Sequence, residues 1–188
     1  MGKLVPRLAF VTLLIPALSV GSAEANNPLE SLVATAAQRL TIAQQVALAK
    51  WDSGAAVEDA HREAMVVDKA VKDGSARGLD AKQVGAFFTA QIEANKLVQY
   101  SLLADWRRKG EAPAHKQIDL AQQIRPQLDA IDQRLIAQLS QTAGVRSAKG
   151  CDVDLAKAVG RYLHSRQLRI DSRTGAALDR ALATACIR

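Results

Sequence analysis

Only three Phe, two Trp and two Tyr occur in 188 positions, and alternating β-branched residues are nearly absent. A sheet-built core draws on such residues at a period of two, so sandwiches and barrels are excluded first. Three histidines, His61, His115 and His164, stand far apart, and neither CxxC nor HExxH is present. A metal centre therefore lacks its ligand spacing, and none is expected. Glycine-rich phosphate loops and nucleophile triads are missing too, and beyond residue 25 no stretch is apolar enough to span a bilayer.

The first residues are of another kind. Lys3 and Arg7 lead into an apolar run from Leu8 to Val20, and small residues follow, ending in Ala23-Glu24-Ala25. That is the layout of a cleavable signal peptide, so residues 1–25 are set apart from the fold and residues 26–188 are expected to form one domain. A retained membrane anchor is the alternative, but the run falls short of the ~20 residues a span needs. Removing Lys3, Arg7 and Glu24 from the chain's 25 basic and 19 acidic residues leaves 23 against 18. The excess favours anionic partners. Nucleic acid is a poor choice, because the cations are scattered among acids and the chain is exported; a small anion fits better. No membrane contact is expected once the signal is removed. Cys151 and Cys186 would meet an oxidising compartment, where a disulfide is the expected state and a free catalytic thiol the alternative. Such a loop contributes roughly 3–4 kcal/mol in the chain-entropy model.

Ala, Leu, Gln, Arg and Lys dominate the remainder at spacings near 3.6, which predicts an all-α fold. Asn27-Pro28 opens a first helix, to about Trp51. A second is predicted over Val57–Asp73, and a third, capped by Asp80, reaches Lys109 before Gly110. A fourth covers Leu120–Gln141, with Pro126 in its first turns or at a kink. Val145–Gly150 is expected to be a loop, and helices over Asp152–Ser165 and Ser172–Ile187 complete a bundle of about six.

The functional signal is polar residues that share a face with the core. Leu32, Ala36, Ala43 and Val46 form a stripe on the first helix, and Arg39 and Lys50 fall on it. Long cations can snorkel from such places, but two on one stripe argue for more. On the third helix Val84, Phe88, Ile92 and Leu103 define a stripe that also holds Asn95 and Gln99, and buried amides demand partners. Taken with the two cations they predict a polar pocket inside the bundle. Glu58, Asp59, Arg62 and Glu63 make a charged cluster whose plain alternative is a solvated face, and Arg125 precedes Pro126 at a helix start.

These residues resemble the chorismate mutases of the all-helical AroQ type, most closely their secreted gamma class. The resemblance rests on Ala37-Gln38-Arg39-Leu40, Ala49-Lys50-Trp51 and Val57-Glu58-Asp59-Ala60-His61-Arg62. It continues through Gln91-Ile92, Asn95, Gln99-Tyr100 and Ala104-Asp105-Trp106 to Arg125, Leu128-Asp129 and the two cysteines. It implies a site inside a single chain, Arg125 replacing an arginine that cytosolic relatives take from a partner subunit, and a homodimer that need not share sites.

The reaction implied is the rearrangement of chorismate, a dianion, to prephenate through a pericyclic transition state, with no cofactor. The protein must hold the compact conformer and stabilise charge growing on the ether oxygen. By resemblance Lys50 and Gln99 donate to that oxygen, and Arg39 and Arg125 clamp carboxylates. Arg62 and Asn95 add charge or hydrogen bonds nearby, while Asp59 and Glu63 are candidates for the ring hydroxyl. The chain departs from relatives at Gln99, often Glu, at Asn95, often Thr or Ser, and at Val66, Gln in some. Arg39→Ala and Lys50→Ala are expected to abolish most activity and leave the fold intact. An exported helical binding protein for an anionic metabolite, and an isochorismate-pyruvate lyase on the same scaffold, are the alternatives.

Overall fold

Residues 1–2, 28–165 and 172–187 are described by a computed structural model; most of the signal-like segment and the Asn27 cap lie outside them. Within them every regular element is helical, as the composition requires. The first, α1 (Pro28–Ser53), is buried on most sides. Its fully buried alanines at 36, 43 and 47 leave room for the helices packed around it, and a helix apolar in so many directions belongs at the centre.

Helix α2 (Ala60–Ser75) starts three residues later than the pattern predicts. Asp59 takes the cap position, accepting from the Arg62 amide at 3.0 Å, while Glu63 reaches back to the Asp59 amide at 3.2 Å. Val57 is thereby left in the connecting loop, where it packs as an apolar plug beside Leu48, Leu103 and Trp106. At the far end of α2 a Cβ on Gly74 would stand 2.9 Å from a Val84 methyl, so only glycine permits this approach of α2 to α3.

Helix α3 (Ala81–Lys109) has the predicted bounds, with Asp80 accepting from the Gln83 amide at 2.8 Å and Gly110 closing it at φ 81°. It packs on α1 and α2. The fourth helix enters through a π-helical turn, Leu120–Ile124, before α4 (Arg125–Gln141). Pro126 supplies the reason: it has no N–H to give and its ring crowds the preceding turn, so the chain widens there and the Arg125 amide bonds to Leu120 O.

The expected loop at Val145–Gly150 is partly wrong, because Ala143–Arg146 forms a single turn, α5. Arg146 anchors it: 1% exposed, it donates to the carbonyls of Leu139 at 3.0 Å and Ala185 at 2.8 Å, satisfying the end of α4 and the chain after the last helix. Helix α6 (Cys151–Ser165) agrees with expectation to one residue. Helix α7 (Ser172–Leu182) ends five residues short of the predicted Ile187. The Ile187 amide turns away to Arg146 O, and Cys186 is drawn out to Cys151, forming the expected disulfide with its Cα atoms 5.8 Å apart. Six long helices and the short α5 make up the described bundle, in which α7 packs on α3, and α4 and α6 pack on α1.

Candidate active site

A cavity of about 150 Å³ lies between α1, α2, α3 and the start of α4, and all eight residues singled out from the sequence line it: Arg39, Lys50, Asp59, Arg62, Glu63, Asn95, Gln99 and Arg125. Val46, Val57, Val66, Ile92, Leu120, Ile124 and Leu128 supply its apolar wall. An apolar enclosure with a few converging polar groups is the usual form of a small-molecule site.

Each polar group has a local cause for its place. Arg39 and Lys50 come inward on the apolar stripe of α1. Arg39 is 4% exposed, donating from Nε to Asp132 Oδ1 at 2.8 Å and from Nη1 to the Gln91 carbonyl at 3.2 Å. Lys50 donates to the Val57 carbonyl at 2.6 Å, which the late start of α2 leaves free, and keeps two further N–H groups. Burial pulls the Lys50 ammonium below the ordinary lysine range, opposed by the nearby charges of Asp59 and Glu63.

The two amides of α3 are oriented in sequence. Asn95 donates from Nδ2 to the Arg39 carbonyl at 3.3 Å, so its Oδ1 faces the next turn, where Gln99 donates to it from Nε2 at 2.7 Å. A backbone carbonyl can only accept, so this chain fixes which end of each amide is the donor. The second Nε2 proton of Gln99 stays available, and Gln99 Oε1 is buried without a partner. Arg125 is exposed at the end of the π turn.

Five cations and four carboxylates line the cavity. The carboxylates are all occupied: Asp59 caps α2, Glu63 bonds Lys96 at 3.1 Å, Asp129 faces Arg62 at 4.0 Å and Asp132 holds Arg39. Among the described residues Lys50 and Arg125 are the lining cations with no carboxylate within 4 Å. An anion entering here meets a lining with one more cation than carboxylate, and Lys50 and Arg125 face it without a direct ion pair.

Sequence reasoning missed Lys96 and Asp132 as members of the site. Lys96 is held between Glu63 and Glu93, and its hydrogen bond to Glu93, then burial opposing, then Glu63, leave its ammonium above the usual range. Asp132 was within reach of the rule applied to the other helices. It lies three, four and seven residues before the buried Leu135, Ile136 and Leu139, so it is another polar residue on an inward face.

Relatives share this architecture. Residues 30–100 match the family described as chorismate mutase type II. A secreted chorismate mutase of Mycobacterium tuberculosis is 29% identical over 87% of this chain and 81% of its own length. One from Mycolicibacterium smegmatis is 30% identical over 73% of this chain and 76% of its own. The crystal structure of a chorismate mutase from Burkholderia phymatum superimposes with a TM-score of 0.81 at 42% identity, covering 86% of this chain and 97% of that one. With a described bundle that follows a solved chorismate mutase almost end to end, this chain belongs to the all-helical type II chorismate mutases, in their secreted class, and is an enzyme, an isomerase.

Proposed function

We propose that the chain converts chorismate to prephenate after export to the periplasm or the medium, in a site complete within one chain and without a cofactor. The observation that carries this is the pair Lys50 and Arg125, cations that line the cavity with no carboxylate within 4 Å among the described residues. A dianion needs two such charges, and a rearrangement with no nucleophile needs only shape and oriented donors.

In this reading Lys50 and Gln99 donate to the ether oxygen as its bond breaks, Lys50 with charge and Gln99 with the amide proton that Asn95 leaves free. Arg125 and Arg39 grip the carboxylates, a task for planar forks that lysine performs poorly. Arg62 and Asn95 supply further charge and hydrogen bonds. Asp59 and Glu63 remain candidates for the ring hydroxyl, using lone pairs not taken by the α2 cap and Lys96. Export rests on the signal-like residues 1–25 and on the secreted relatives, and a homodimer is part of the same proposal.

The test is the loss of chorismate absorbance with purified protein and no added metal or cofactor, with the product identified. Prephenate supports the proposal. Pyruvate release, or tight binding without turnover, overturns it.

A further inference from the structure

We infer that Asp132 is a positioning residue for the reaction, its buried carboxylate holding Arg39 in the plane from which it meets substrate. The inference rests on the mutase reading of the cavity. Asp132 is 9% exposed and makes one ion pair, to Arg39 Nε at 2.8 Å, across 93 residues of sequence. Arg39 Nη1 is held from another side by the Gln91 carbonyl of α3. Gln91 is itself fully buried and fixed by its side chain to the Ala181 carbonyl at 2.8 Å. Two of the five guanidinium N–H groups are thus committed to α4 and α3, and three remain.

A carboxylate in a site for a dianion is a liability on charge alone. It repels the ligand and cancels one of the five lining cations. Its position is intelligible if orientation outweighs attraction: a free guanidinium on a four-bond stem samples many planes, and a bidentate contact tolerates few. The two accounts predict opposite signs. If Asp132 merely neutralises Arg39, removing its charge strengthens the attraction for the dianion, so KM falls and kcat holds. If it positions Arg39, kcat falls despite the gain in attraction.

The experiment compares Asp132→Asn and Asp132→Ala with the parent enzyme in steady-state turnover of chorismate, each also in an Arg39→Lys background. Asp132→Asn keeps the volume and one acceptor oxygen, so the fold should persist; thermal melting and near-ultraviolet circular dichroism check both variants. The expected result is a kcat loss of about tenfold for Asn and up to about a hundredfold for Ala. In the Arg39→Lys background, which has no fork to orient, the further loss should shrink to less than about threefold. A folded Asp132→Asn enzyme with lower KM and unchanged kcat would overturn the positioning role, as would equal losses in both backgrounds. Failure of the parent to turn over chorismate would instead strike at the mutase reading.

Discussion

Lys50→Met separates the chemistry of the site from the stability of the fold. The substitution keeps the apolar stem and removes the ammonium. On the folded side the changes nearly cancel. The Val57 carbonyl loses its 2.6 Å donor, worth about 1 kcal/mol net, while the burial that depresses the Lys50 ammonium is relieved. The melting temperature should therefore shift by no more than about 4 °C, since ~1 kcal/mol corresponds to roughly 2–4 °C in a domain of this size. On the catalytic side an oriented donor facing developing charge contributes about 3–4 kcal/mol, so kcat/KM should fall about 10²–10³-fold. Chorismate consumption and a thermal melt on one preparation measure both. A rate within fivefold of the parent, or a collapse in melting temperature that accounts for the lost activity, would refute the assignment. The pH dependence adds a sign. The folded chain binds the Lys50 proton less tightly than the unfolded chain, so between the two pKa values this group's contribution to stability rises with pH. Activity should fall over the same interval as the ammonium is lost, and that alkaline limb should vanish in Lys50→Met.

Arg125→Ala and Arg39→Ala should part company. Arg125 is exposed and without an ion pair, so its loss should cost about a hundredfold in kcat/KM with an unchanged melt. Arg39→Ala leaves Asp132 buried and unpaired, so it should lower stability by about 3–5 kcal/mol as well as activity. Denaturant titration of both shows the difference. Gln99 donates at any pH, so activity should stay level from pH 5 to 8, whereas Gln99→Glu should work only toward the acid end, where the carboxyl is protonated; a level profile for the variant would remove Gln99 from the reacting atoms. Cys151→Ser/Cys186→Ser should lower stability by roughly 3–4 kcal/mol and leave kcat unchanged, because neither cysteine lines the cavity. The His115 ring, raised above its ordinary range by the Pro113 carbonyl and then by Asp52, stabilises the segment after α3 while protonated. The melting difference between the parent and His115→Gln should be full at acid pH and fade as pH rises through the folded value.

Residue chemistry alone announced much of the site. Arg39 and Lys50 on an apolar stripe, and Asn95 with Gln99 on another, violate helical patterning in ways visible at a spacing of 3.6. The caps Asp80 and Gly110 are local too, and their bounds were legible. Where neighbours in space decide, the sequence was silent. Val57 fits a helical pattern but is needed as a plug over Leu48 and Trp106, so α2 starts late and frees the carbonyl that binds Lys50. Arg146 has no sequence signal for burial, because the carbonyls it satisfies belong to Leu139 and Ala185.

The sequence by itself determined the helical class, the disulfide partners and the inward turn of Arg39, Lys50, Asn95 and Gln99, because periodicity and composition are properties of one element at a time. Tertiary structure decided which charges remain unspent. Asp132 stands 93 residues from Arg39, and only the packing of α4 on α1 brings the two to 2.8 Å. Whether a cation is neutralised or free depends on distances between elements, and no pattern along a single helix encodes those.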